Sequence, residues 1–440
     1  MIAIVSVAFV LGVMILIHEF GHYAAAKLFG VRVEVFSIGF GKRLLGFRKG
    51  DTDYRISALP LGGYVKMSGE NFMEERTGAP YEFMSHPRWQ RFVIAIAGPV
   101  MNLALAVALL TAVFMIRYEH PIYLDKPAVI GWVLENSPAA KAGFQPGDRI
   151  VHIDGLTNPV WEDVLAKVLL SPNQSMNVQI ERDGQLKNMS ITPQATGPEQ
   201  LGNPGWLPDQ PNTVTELEPG MPAAQAGLKE GDNIVALNGQ PTRSLPSMIH
   251  ILQENKVNPV KVTVVREGQE MNFTLTPKLD KLETGEERYR IGVKSDPTSV
   301  DKLPFGKALE RSLDTNKKYS TLVFDLVGKM LQRKVSVKQM SGPIGIAREA
   351  GNAAQQPGWT PLMNLMAMIS LQLGLFNLFP FPILDGGMIL MLAIEGLRRK
   401  DISLAVKERV YQVAFVLLVL FAALVIFNDI TKLPVFTRMP

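Results

Sequence analysis

The sequence predicts a membrane-spanning α-helical protein that carries a soluble, internally duplicated α+β module, and three observations support this. Hydrophobic residues make up 47% of the 440 positions, which is high for a soluble chain. They gather into four blocks, at 1–29, 92–116, 361–385 (counting the Asp that closes it) and 410–428. Each block reaches the roughly 20 residues a helix needs to cross about 30 Å of hydrocarbon. Between the second and third blocks the chain has ordinary polar composition and repeats itself. SPAAKAGFQPGDRIVHIDG (137–155) and MPAAQAGLKEGDNIVALNG (221–239) match at ten of nineteen positions without a gap.

The first block carries no charge before Glu19. A secretory signal peptide opens with a basic region and closes at a small-residue cleavage site. The basic region is missing, and cleavage at Ala24-Ala25-Ala26 would discard two histidines, so the block is expected to remain as a span. The stretch 30–91 has strand-like runs separated by Gly and Asp turns. Basic residues set the orientation. Arg32, Lys42, Arg43, Arg48, Lys49, Arg55, Lys66, Arg88 and Arg91 lie between spans one and two, and Arg398, Arg399, Lys400, Lys407 and Arg409 between spans three and four. Both loops are therefore expected on the cytoplasmic side, with both termini and the long 117–360 segment outside, in the periplasm or its equivalent.

Composition removes several function classes. The formal charge of +4 is small for this length, and its basic residues lack aromatic interleaving, which argues against nucleic-acid binding. With no cysteine, disulfides, thiolate metal sites, iron–sulfur clusters and a cysteine nucleophile are excluded.

The chemistry is concentrated where the first apolar run ends, in His18-Glu19-Phe20-Gly21-His22. Two histidines four residues apart share one helix face and can chelate one zinc, while the Glu between them reaches water as general base. Ionisable groups in lipid are costly unless partnered, so their presence in a span points to function. His86, His120, His152 and His250 lack a partner at chelating spacing. Catalytic zinc takes three protein ligands and keeps a position open. NLFPFPILDGG (377–387) offers Asp385 as the third, at the end of an otherwise uncharged span. Spans one and three run the same way; at 1.5 Å per residue His18 lies about 26 Å along the first and Asp385 about 36 Å along the third, both toward the cytoplasmic side. Pro380 and Pro382 break regular helix there, and Asn377 adds an amide able to hold a substrate backbone. The competing reading of 385–387 is a simple interfacial turn.

With these residues in hand, the sequence resembles the site-2 protease family of intramembrane metalloproteases. The resemblance rests on HEFGH in the first span, GPVMN (98–102) in the second, two PDZ-like units, and the N-x-x-P-x-P-x-L-D-G pattern at 377–386. It implies a four-helix zinc-protease core, with His18, His22 and Asp385 as zinc ligands and Glu19 activating water. It also implies that Asn377 and Pro382 hold substrate, and that 30–91 forms a membrane-associated β structure whose edge pairs with an extended substrate. The implied setting is the bacterial inner membrane. The implied substrates are single-span membrane proteins, an anti-sigma factor already cut outside the membrane and remnant signal peptides.

The duplicated units, 127–195 and 213–279, resemble bacterial PDZ domains, which bind an extended chain by adding it as a strand. They are expected either to recognise a substrate tail or to exclude bulky proteins from the site, unless one copy serves only as a spacer. Within 300–356, Leu309, Leu313, Leu322, Val323 and Leu326 recur near helical spacing, predicting an amphipathic helix that packs on the PDZ pair or lies near the membrane surface. SGPIGIA (341–347) then serves as a connector. Against the protease stands a catalytically inactive membrane-anchored PDZ scaffold, for which an intact Glu19 and Asp385 would have no use. A secreted zinc protease fails on the apolar blocks. A serine intramembrane protease lacks its G-x-S-G nucleophile motif, and the one span-end Asp beside a glycine pair, Asp385, is already read as a ligand, which leaves none for an aspartyl enzyme.

Overall fold

The computed structural model describes residues 2–70, 77–197, 199–281, 287–332, 334–335 and 342–432. The chain divides into two compact units. One comprises residues 1–118, 302–328 and 340–440, the other 119–301 and 329–339.

In the first unit, helices α1 (Ile2–Leu28) and α2 (Arg88–Arg117) flank a long hairpin of β1 (Val33–Lys49) and β2 (Thr52–Met67). Gly50 adopts φ +59° at the tight reversal between Lys49 and Thr52, a conformation open to glycine. The hairpin curls on itself, so that Phe36 faces both Val65 and Tyr54. Helices α3 (Phe305–Leu331), α4 (Pro343–Gln355), α5 (Thr360–Asn377), α6 (Asp385–Arg398) and α7 (Leu404–Thr431) complete the unit. Among the described residues three helices are long and apolar enough to cross a membrane: α1 over Val5–Leu28, α2 and α7.

The expected third span is divided. Helix α5 stops at Asn377, residues 378–384 are non-helical, and Asp385 opens α6. Pro380 and Pro382 lack the amide proton that would continue α5 and clash with the preceding turn. Much of helix α5 faces protein. Leu362, Met366, Ala367, Ser370, Leu371 and Leu375 are buried at helical spacing, with Leu371 and Leu375 packed on Ala106 of α2. Helix α7 shows the opposite pattern, exposing Phe415, Val416, Leu420 and Phe427 along its length.

Polar contacts fix the ends of α7. The Asp429 carboxylate accepts the backbone N–H groups of Gly342 (2.9 Å), Ile344 (3.0 Å) and Gly345 (3.0 Å), which caps the N-terminus of α4. The connector expected at 341–347 is therefore largely the start of a helix; residue 341 itself lies outside the described residues. At the other end, Lys407 pairs with buried Glu395 of α6 at 2.7 Å. Helix α3 buries Ala308, Ser312 and Asn316, with Ala308 in the cluster formed by Leu110 and Phe114 of α2 and Ser312 Oγ donating to the Val107 carbonyl. Its packing face runs from this small and polar stripe to Tyr319 and Val323, which pack on the cluster of Ala106, Leu371 and Leu375, while the Leu313 picked out by apolar periodicity is exposed.

The second unit holds the duplication as two α+β copies. In the first, strands Arg149–Ile153, Met176–Arg182 and Gln185–Ile191 pack with helix Trp161–Leu169 around Ile150, Trp161, Val178, Ile180 and Trp206. In the second, strands Asn233–Leu237, Val260–Arg266 and Gln269–Leu275 pack with helix Leu245–Asn255 around Ile234, Met248, Val262 and Val264. The last two strands of each copy turn through Asp183-Gly184 or Glu267-Gly268, all four at positive φ, as a two-residue hairpin requires.

The Gly-Asp pair shared by both repeats has a structural role. The buried Asp148 carboxylate takes Arg182 through two bonds of 2.6 and 2.7 Å, and the buried Asp232 takes Arg266 with the same two distances, the partner lying 34 residues on in each copy. Each arginine also donates to a carbonyl, Gly143 or Gly227. Each carboxylate also accepts a backbone N–H, from Gln145 or Lys229. Replacing Asp148 by Asn is expected to lower the stability of the first copy by about 1.5–3 kcal/mol, the range for hydrogen bonds to charged groups. The readout is the denaturant midpoint of Trp161 and Trp206 fluorescence. The hydrogen bond from Arg266 holds the Asp232 carboxyl below the ordinary range. Its stabilisation is therefore complete above about pH 4 and lost as the pH falls through the lowered value. Hydrogen exchange over 233–266 in wild type and Asp232→Asn is expected to differ at neutral pH and to converge in acid.

Candidate metal centre

Helix α1 carries His18, Glu19 and His22 on one face, and α2 crosses that face closely. A Cβ on Gly21 would sit within 2.7 Å of the Ala97 carbonyl carbon of α2, so only glycine permits this approach. Both histidines are buried, at 7% and 8% exposure, with their rings edge to face at 4.9 Å.

Each ring is held at Nδ1 and faces a common centre with Nε2. His22 Nδ1 donates to the Ile94 carbonyl at 2.8 Å, which leaves its Nε2 as an acceptor. His18 Nδ1 lies 3.3 Å from the side-chain amide of Asn102, also on α2. The two Nε2 atoms are 3.3 Å apart.

Asp385 reaches this point from the first turn of α6. Its Oδ2 lies 3.1 Å from His18 Nε2 and its Oδ1 lies 3.4 Å from His22 Nε2. Segment 378–384 turns back instead of running deeper, so the depth of about 36 Å expected for Asp385 on an unbroken helix does not apply. Gly386 and Gly387 make this turn possible, since a Cβ on the first would meet the Leu378 carbonyl carbon at 2.5 Å and on the second the Phe381 carbonyl carbon at 2.6 Å. Asp385-Gly386-Gly387 is thus the compact start of a helix wrapped by its own loop, not an interfacial turn.

Among the described residues, His18, His22 and Asp385 are the group whose donor atoms all lie within 4.8 Å of one another. Bonds of about 2.0–2.1 Å at tetrahedral angles put ligand atoms about 3.3–3.4 Å apart. The two Nε2 atoms have this separation, 3.3 Å, and each faces its own oxygen of the Asp385 carboxylate, at 3.1 and 3.4 Å. Two imidazole nitrogens and a carboxylate are a donor set suited to a divalent metal with a fourth position left open.

A cavity of about 390 Å³ reaches this centre, lined by Glu19, Asn377 and the β2 residues Gly63, Tyr64 and Val65 among others. Glu19 Oε2 accepts the Val65 N–H at 3.0 Å, so the hairpin orients the carboxylate. Asn377, the last residue of α5, places Nδ2 3.4 Å from His18 Nε2. Pro382 does not line this cavity; it lines an adjoining one of about 340 Å³ that shares Asp385, Glu70 and Met388. Sequence reasoning assigned no role to Gly98, Asn102 or Glu70. The spacing of Gly98 and Asn102, one helical turn apart inside GPVMN, was the available signal for the first two. Gly386→Ala is expected to displace Asp385 and lower bound divalent metal well below one per chain, measured by elemental analysis of protein purified without chelator.

The chain matches the family model described as Peptidase family M50 over residues 6–421. It is similar to the regulator of sigma E protease of Salmonella typhi, 34% identical over 450 residues that cover 96% of this chain and 97% of that protein. The regulator of sigma-E protease RseP of Escherichia coli (strain K12) is 32% identical over 455 residues, covering 96% and 97%. A putative zinc metalloprotease of Vibrio cholerae is 32% identical over 446 residues with the same coverage.

Proposed function

The chain belongs to peptidase family M50, and from that membership we propose that it is an intramembrane zinc endopeptidase that cuts single-span membrane proteins. The substrates are an anti-sigma factor whose outer domain has already been removed, and remnant signal peptides. The observation that carries this reading is the convergence of His18, His22 and Asp385 on one point with Glu19 beside it, set among apolar helices. Four spans, α1, α2, α5 and α7, form the core. The basic loops around 32–91 and 398–409 face the cytoplasm, and the duplicated module and both termini face the periplasm.

In this reading His18, His22 and Asp385 hold the zinc. Zinc, when bound, supplies Lewis acidity that polarises the scissile carbonyl and lowers the pKa of water at its open position. Glu19 takes the proton from the attacking water and passes it to the departing amine. Residues 62–65 border the cavity, and their edge receives the substrate as an added strand, exposing a peptide bond that a helix would shield. The Asn377 amide clamps that strand beside the ligands, and Pro382 shapes the loop that ends in Asp385. In the second PDZ-like copy, a cavity of about 570 Å³ between Met248, Ile249 and Leu252 of the helix and the 288–296 segment supports capture of an extended peptide there.

The test compares purified wild type, Glu19→Gln and His22→Ala for zinc content and for cleavage of a model transmembrane peptide. Glu19→Gln is expected to keep its zinc and lose at least about 100-fold in rate, the lower end of a general-base contribution. His22→Ala is expected to lose both. Active wild-type enzyme without metal, or full cleavage by Glu19→Gln, would refute the reading.

A further inference from the structure

The motif in α2 supplies no group to the centre itself, yet Gly98 lies against both histidine rings and Asn102 against that of His18. Gly98 lies directly under them. A Cβ there would stand 2.7 Å from His22 Cε1 and 2.9 Å from His18 Cε1, and closer still to His22 Nε2. Asn102, one turn on, is fully buried, with its amide 3.3 Å from His18 Nδ1 and its carbonyl oxygen without a partner among the described residues. Its backbone is fixed as well, because Ser370 Oγ of α5 donates to the Asn102 carbonyl at 2.8 Å.

The two imidazoles are supported differently. His22 Nδ1 has a backbone acceptor, the Ile94 carbonyl, whereas among the described residues His18 Nδ1 has the Asn102 side chain as its hydrogen-bond partner. A histidine that binds metal through Nε2 must carry its proton on Nδ1, and that proton needs an acceptor. An amide N–H facing Nδ1 would instead demand a lone pair there and move the proton to the metal-binding nitrogen. The two ends of a carboxamide are interchanged by a half-turn about its last bond. The half-turn brings the unpartnered oxygen onto the His18 Nδ1–H and leaves Nε2 free toward Asp385.

We propose that Gly98 and Asn102 form the outer shell of the metal centre. Asn102 is a positioning residue whose side-chain oxygen accepts the His18 Nδ1 proton, and Gly98 provides the clearance in which both rings stand. This rests on the zinc reading above, and it assigns to α2 the task of setting the tautomer and tilt of ligands that belong to α1.

The test uses purified full-length protein, with zinc content, the rate of zinc loss to a chelator and the visible spectrum after cobalt replacement as readouts. Asn102→Leu, which keeps the volume and removes the acceptor, is expected to weaken zinc binding about 10- to 100-fold. Asn102→Asp restores an acceptor and is expected to retain zinc close to wild type. Gly98→Ala is expected to alter or abolish the cobalt spectrum. Wild-type retention by Asn102→Leu, or equal loss in Asn102→Leu and Asn102→Asp, overturns the acceptor role. An unchanged cobalt spectrum in Gly98→Ala overturns the clearance role. Wild-type protein that binds no zinc would instead strike down the metal reading itself.

Discussion

Two buried imidazoles and a half-buried carboxylate among apolar helices must each find a partner, and the rest of the first unit is arranged around that demand. An unpartnered polar group in such surroundings costs several kcal/mol. The cost is met by close helix approach. With glycine at 21 and 98, α1 and α2 come near enough for the Ile94 carbonyl and the Asn102 side chain to reach the outer nitrogens of His22 and His18. The inner nitrogens then point at one place, where Asp385 joins them. Larger residues at either glycine would separate the helices and leave the rings unsupported.

The same economy of polar contacts holds the outer helices. Helix α7 presents mostly apolar side chains to its surroundings, and hydrocarbon offers no drive for apolar helices to associate with one another. Its position therefore depends on charged groups near its ends, Asp429 on the N-terminus of α4 and Lys407 on Glu395. Helix α4 in turn buries Ala350 and Ala353 with Val10 and Met14 of α1. Contacts at the membrane ends are thus relayed to the helix that carries the histidines. Where the backbone must leave helical geometry, at 378–384, it does so against protein, with Gly386 and Gly387 packed on the loop carbonyls.

The duplicated unit follows other rules, with its apolar side chains turned inward from strands and helices. Each copy packs apolar residues from strands and one helix around a common centre, and each ties the loop of its repeat motif to a later strand through a forked arginine–aspartate pair. The same aspartate–arginine geometry in both copies indicates that the shared Gly-Asp serves the fold of each copy. The peptide binding proposed for this unit then falls to other positions, such as the groove beside helix Leu245–Asn255.

Much of this was legible in the linear sequence. The apolar blocks, the histidine spacing of His18 and His22 with Glu19 between them, the proline-broken segment ending in Asp385 and the gapless repeat all depend on local pattern, which a helix or strand converts directly into position. Other features depend on pairs far apart in the chain. The stop of α5 at Asn377 and the return of the loop to the histidines, the choice of the Ile94 carbonyl for one ring and of Asn102 for the other, and the capping of α4 by Asp429 leave no periodic trace. The packing face of α3 was only partly marked for a related reason, since Val323 belongs to it but Ala308, Ser312 and Asn316 are small or polar residues that apolar periodicity misses. Sequence pattern determined which groups had to leave water, because hydrophobicity and spacing are local properties. Which partners met them there was decided only by tertiary structure, because hydrogen bonds are satisfied by distance in space and not along the chain.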